Sequence, residues 1–168
     1  MKNIYTGANW KARLKEMKYR CMEQNTPDAF IASGGRTMKL NPYTDATANG
    51  LTNCIIDWIN GSGGSANRIN TQGQVRKGRV EFAGGQHKDF IRFTPSTTRK
   101  GTADIHAVME GRHLSIEVKI GPDKLSPEQI REQERITRAG GLYFVARDMQ
   151  SFVEWFEELF SINIKAVC

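Results

Sequence analysis

Asp104, Glu117 and Lys119 are residue types that can share chemistry, and their spacing brings them together. They lie in two β-patterned stretches, 103–109 and 112–120, joined by Glu110-Gly111, a two-residue turn whose glycine tolerates positive φ. Pairing Met109 with Arg112 across that turn sets Asp104 directly opposite Glu117. Opposed Cβ atoms are about 4.5–5.5 Å apart, and two carboxylates at that separation repel unless something positive lies between them. A divalent metal ion is the natural answer. Strand side chains alternate, so Lys119 points with Glu117 while Ile116, Val118 and Ile120 point into the core. Two acids and an amine around one cation suit metal-assisted phosphodiester hydrolysis. In that chemistry Mg²⁺, or Mn²⁺ as a substitute, is held by Asp104, Glu117 and the Val118 carbonyl and polarises the attacking water and the P–O bond. The lysine can position the water, stabilise the charge of the pentacovalent state or pass a proton.

An acid two residues before a lysine is a common pattern, and Glu16-Met17-Lys18 repeats it. That copy falls in a helical stretch, 9–23, where Trp10, Leu14, Met17 and Cys21 share one face, so its side chains diverge. Glu117 and Lys119 differ by their strand context, the facing Asp104 and the basic Arg99-Lys100-Gly101 just upstream. Other elements must position them. Thr47 or Asn49 caps a second helix through Asn60, with Leu51, Ile55 and Ile59 on one face. Short strands are expected at 67–70, 79–82 and 90–93. Ser126 caps a helix with Pro127 at its first position and Gln129 as capping-box partner, and Gly140-Gly141 ends it. A continuous apolar strand, 142–146, follows, and Asp148 starts a last helix that buries Phe152, Trp155, Phe156 and Leu159. Strand, helix, strand in this order implies parallel pairing. Between 25 and 43 the periodicity dissolves, and a loop or arm is expected.

The chain has 168 residues and a net charge of +6, unevenly spread. Residues 1–100 carry 16 Lys and Arg against 7 Asp and Glu, whereas residues 101–168 carry 8 against 11. Arg68, Arg76, Lys77, Arg79, Lys88, Arg92, Arg99 and Lys100 are candidates for binding a polyphosphate such as DNA, with a solvated charged face as the plainer alternative. No apolar run reaches the length of a membrane span, and residues 1–20 lack the apolar stretch of a secretory signal, so a cytoplasmic protein is expected. Cys21, Cys54 and Cys168 show no spacing of a disulfide framework or a zinc site. His106 shares a face with Asp104, while His87 and His113 have no partner by spacing; Asp57 reads as surface.

The run Lys100-Gly-Thr-Ala-Asp104-Ile, then Ile116-Glu-Val-Lys119, Leu-Ser-Pro-Glu-Gln129 and Gly140-Gly-Leu-Tyr-Phe-Val145, resembles the VRR-NUC branch of the PD-(D/E)XK nucleases. The resemblance spans about residues 45–160 and is strongest from 100 to 145. It implies an α/β, restriction-endonuclease-like core, a mixed β-sheet flanked by helices in the order αβββαβ. That single domain would cover 45–165, after an N-terminal helix and irregular arm at 1–44. It further implies Asp104 and Glu117 as metal ligands, Lys119 as catalytic lysine, and Gln129 near the phosphate or the lysine. Arg68-Ile-Asn70 resembles the family's Arg-x-Asn. The implied activity is a Mg²⁺-dependent endonuclease acting on branched, flapped or junction DNA in replication, repair or phage DNA processing. A catalytically inactive DNA-binding module is the alternative, and a homodimer stays open. One position departs from the family: relatives carry a glutamate on the first core helix, and residues 47–53 here contain no acid, leaving Asn49 or Asn53 as an amide ligand.

Overall fold

The computed structural model describes residues 9–69, 74–82, 85, 87–94 and 98–160. The helix that opens the core, α3 (Ala48–Gly61), begins where Thr47 Oγ1 accepts from Gly50 N at 3.1 Å. Leu51, Ile55, Trp58 and Ile59 recur on one face and are fully buried. Strands β1 (Ser65–Arg68), β4 (Ile105–Met109), β5 (Arg112–Val118) and β6 (Leu142–Ala146) form a four-stranded sheet in the order β1-β4-β5-β6. The first two pairings are antiparallel and β5–β6 is parallel. Helix α4 (Pro127–Arg138) makes the crossover between β5 and β6, and α5 (Met149–Phe160) follows. A separate hairpin, β2 (Gln74–Glu81) with β3 (His87–Thr94), is inserted between β1 and β4. The molecule is therefore mixed α/β, with a mixed sheet flanked by helices.

Alternation along the strands assigns each sheet face its task. Ile105, Ala107, Leu114, Ile116 and Val118 face α3 and α5, with Phe152, Val153 and Phe156 of α5 and Leu14 and Met17 of α1 (Trp10–Asn25) in the same core. Each large apolar side chain so enclosed contributes about 1.5–3 kcal/mol relative to exposure. Trp155 stacks on Phe144 at 4.4 Å between ring centroids, so it belongs to this packing, as expected. The other face carries His106, Ser115 and Glu117 under α4. No helix among the described residues is long and apolar enough to cross a membrane.

Residues 25–43 are more ordered than their pattern implies. Pro27 presets the first turn of a short helix, α2 (Pro27–Ala32), and a 3₁₀ turn covers Gly35–Thr37. Tertiary contacts explain it. Phe30 is buried beside Tyr19, the Tyr19 hydroxyl donates to the Met38 carbonyl at 2.7 Å, and Arg36 bridges Glu16 and Glu23. Asp57 is not simple surface either: it accepts from the Tyr43 hydroxyl at 2.9 Å and lies 3.5 Å from Lys18. The first core strand sits two residues earlier than expected, and Asn70 lies outside the described residues. Cys54 is a buried free thiol, and Cys168 lies outside the described residues.

Candidate active site

Positive φ at both Glu110 (49°) and Gly111 (74°) closes the β4–β5 turn, and the register runs Met109 to Arg112 through Ile105 to Ile116. One step further, Asp104 stands at the head of β4 opposite Glu117, as the turn arithmetic requires. Its Oδ2 accepts from the Val118 amide at 2.9 Å, which pins the carboxylate against β5. Glu117 is only 2 % exposed and Lys119 only 7 %. Lys119 continues the β5–β6 ladder, its amide donating to the Ala146 carbonyl at 2.9 Å, and its Nζ lies 3.2 Å from Glu117 Oε1. The second acid-x-Lys pattern behaves as a helix dictates: Glu16 pairs with Arg20 and Arg36, and Lys18 with Asp57.

Gln129 reaches the same site from α4. Ser126 Oγ accepts from Gln129 N at 3.2 Å while Gln129 Oε1 accepts from Ser126 N at 2.8 Å, a reciprocal capping box. That bond fixes the amide so that its Nε2 donates to Glu117 Oε1. The side chain that starts the helix thus also orients a buried carboxylate.

The electrostatics follow from burial. Desolvation first, and then the negative Asp104, raise the Glu117 pKa to about 7, with Lys119 opposing the shift. Glu117 Oε2 is buried with no hydrogen-bond partner among the described residues. A cation held by Asp104 and Glu117 would satisfy that oxygen and offset the repulsion, so the donor set fits a hard divalent ion. No group of three or more His, Cys, Asp or Glu side chains with metal-binding spacing occurs among the described residues, so further ligands would be carbonyl, amide or solvent oxygens.

Three residues at the site carry no motif of their own. Asp123 lies 3.5 Å from Lys119 Nζ, on a turn that Arg147 clasps through the Gly121 and Asp123 carbonyls, each at 3.0 Å. The Tyr143 hydroxyl is buried without a hydrogen-bond partner among the described residues, its pKa raised by burial and by the negative Glu117 and Asp104. Glu132 on α4 is buried and paired with Arg135. The i+3 spacing from Gln129 was the one signal for Glu132; Asp123 and Tyr143 depend on turn geometry and parallel register.

Arg99 and Lys100 line a cavity of about 390 Å³ with Glu128, Arg131, Glu132 and Arg135. The loop can lie this close to α4 because Gly101 has φ +83° and no Cβ; one would fall 2.4 Å from the Glu128 carbonyl oxygen. Arg68 donates to Asn49 Oδ1 at 2.8 Å, so these two are spent on each other, and Asn53 lines a pocket with Tyr43 and Cys54 instead. The first turn of α3 carries no acid. Arg76, Lys77, Arg79, Lys88 and Arg92 are all on the separate hairpin, exposed. His106 and His113 meet edge to face at 5.1 Å, with His113 Nε2 3.0 Å from Ser115 Oγ. His113 thus has partners that its spacing concealed. Burial, then His113, lowers the His106 pKa. The fold and site together define a mixed α/β protein with two carboxylates and a lysine at the end of a sheet hairpin. The chain matches no family model, and no curated protein matches it.

Proposed function

We propose that this protein is a Mg²⁺-dependent endonuclease of the PD-(D/E)XK type, with a restriction-endonuclease-like core and a VRR-NUC-like arrangement of motifs. The observation that carries the reading is the buried Glu117–Lys119 pair beside the half-buried Asp104, with Glu117 Oε2 lacking a hydrogen-bond partner among the described residues. Supporting it is the order of elements, α3, β1, β4, β5, α4, β6, which is αβββαβ once the hairpin is set aside. Asp104 and Glu117 would hold the ion, with the Val118 carbonyl beside them. Bound there, the ion supplies charge stabilisation at the phosphate and a water of lowered pKa. The chain's own residues do the rest. Lys119 holds its ammonium against Glu117 and is placed to stabilise the developing phosphoryl charge. Gln129 fixes the Glu117 carboxylate, and Arg99 and Lys100, at the mouth of a groove whose Arg131 and Arg135 are paired with Glu128 and Glu132, orient the backbone of a DNA strand.

Branched, flapped and linear DNA incubated with the protein and Mg²⁺ or Mn²⁺ provides the test. Cleavage should vanish on chelation and fall at least about 100-fold in Glu117→Ala and Lys119→Ala. Equal cutting by these variants, or none by the wild type on any substrate, refutes the proposal. A second reading, a DNA-binding module without catalysis, draws on the Asn49–Arg68 hydrogen bond, which occupies the helix position where an acid would complete the metal shell. Calorimetric titration separates the two: metal uptake favours the nuclease, and tight DNA binding without uptake favours the module.

A further inference from the structure

The β2–β3 hairpin makes no extended contact with any other described element, and all its described side chains except that of Gly78 are exposed. A two-stranded ribbon alone is marginal in water, so an occupant on one face would stabilise it. The register defines those faces. Val75 opposes Phe93, Lys77 opposes Ile91 and Arg79 opposes Asp89 on one side; Arg76 opposes Arg92, Gly78 opposes Phe90 and Val80 opposes Lys88 on the other. On the first side Arg79 is neutralised by Asp89 at 2.8 Å. On the second, Arg76 and Arg92 face each other across the strands, a destabilising arrangement without an anion between them. Among the described residues no carboxylate pairs with Arg76, Lys88 or Arg92. The Phe90 ring lies over Gly78, where a Cβ would come within 2.6 Å of it. Gly78 therefore keeps an aromatic plate in place between cations.

We infer that this hairpin is a groove-binding ribbon for double-stranded DNA, entering on the face of Arg76, Lys88, Phe90 and Arg92. The choice of nucleic acid over other polyanions rests on the endonuclease reading above. Lys88 and Arg92 are four residues apart on one strand, about 13 Å, with Phe90 between them. A B-form major groove is about 12 Å wide and admits a two-stranded ribbon, so cations at this spacing reach the phosphates of both walls while the ring meets base edges. A-form RNA offers only a deep, narrow major groove, and single strands are held by successive stacking plates, of which this face carries one, Phe90, within the described strands. The paired Arg79 and the apolar Val75, Ile91 and Phe93 stay outside the groove.

Binding to duplex DNA, single-stranded DNA and duplex RNA of one sequence, measured in EDTA to suppress cleavage and across a salt series, tests this. The triple variant Arg76→Ser, Lys88→Ser, Arg92→Ser, with circular dichroism and melting matched to wild type, should lose duplex DNA affinity about tenfold or more. Its slope of log affinity against log salt should shrink by about 2–3, at roughly 0.9 per lost phosphate contact. Phe90→Ala should lower affinity at unchanged slope, and Ile91→Ser should leave both unchanged. Wild-type affinity and slope in the triple variant would overturn the inference even if the protein cuts DNA, as would preference for duplex RNA or single strands. So would a change of sedimentation mass in Ile91→Ser with DNA binding indifferent to the triple variant, since the hairpin would then join protein copies. Strong duplex binding in EDTA, with no branched, flapped or linear DNA cut once Mg²⁺ or Mn²⁺ is supplied, would instead refute the endonuclease reading and leave the ribbon standing.

Discussion

Ionisation of Glu117 is disfavoured by the fold around it. Its pKa is raised to about 7, above the 4.5 of a free glutamate, so the folded chain holds this proton more tightly than the unfolded chain does. Ionisation therefore costs stability. The contribution is intact below the unfolded value, is lost as pH rises through 4.5 to about 7, and stays lost above. Glu117→Gln removes the ionisation while Gln129 Nε2 keeps an oxygen to donate to. In EDTA the variant's melting temperature should gain on wild type between about pH 5 and pH 8; a gap that stays constant with pH would mean the carboxylate is not destabilising. Mg²⁺ should raise the wild-type melting temperature and not that of Glu117→Gln. Because a ligand must deprotonate, metal affinity should climb with pH up to about 7 and level off. Below that pH binding should release a proton, read by calorimetry in buffers of different ionisation enthalpy.

At the level of elements, α4 is both a crossover and a carrier of site geometry, and two substitutions in one capping box tell these roles apart. Ser126→Ala removes the acceptor for Gln129 N and should cost about 1 kcal/mol of stability, read by denaturant titration, with turnover nearly unchanged. Gln129→Ala loses a bond of the same box and also leaves Glu117 Oε1 with Lys119 alone, so turnover should fall well beyond the stability loss. Similar turnover in the two variants would confine Gln129 to capping. This helix was legible residue by residue in the sequence, because Ser-Pro-Glu-Gln at its start and Gly-Gly at its end are local signals. The β4–β5 register was equally legible, since a two-residue turn fixes pairing by count. The hairpin was only partly so: β2 and β3 each run past the expected strand, and with no buried face their pattern lacks a period to read. The ordering of 25–43 depends on Tyr19, Arg36 and Glu16, whose partners are distant in sequence. Asn49 was legible as a missing acid, but its bond to Arg68 needed the β1 register.

Across the whole molecule one sheet separates stability from chemistry. The face bearing Ile105, Leu114 and Ile116 is closed by α3 and α5, and the face bearing Glu117 is met by α4. Asn60 ties α3 to β1, its Oδ1 accepting from Ala66 N at 2.7 Å, and Asp45 ties the chain before α3 to the start of α5, accepting from Met149 N at 3.2 Å. The scaffold is thus braced on the side away from the acids. Ile55 is fully buried on that side, whereas Glu117 lies on the other face of the sheet. Ile55→Val should cost about 0.5–1.5 kcal/mol, lowering the melting temperature by a few degrees, with metal affinity and turnover below the melt unchanged. Combined with Glu117→Gln, the two changes in stability should add to within about 0.5 kcal/mol, because they act on opposite faces of the sheet. Coupling well above that would mean that packing of α3 sets the position of the carboxylate. The sheet would then transmit strain between its faces, and core substitutions would be expected to alter cutting as well as stability.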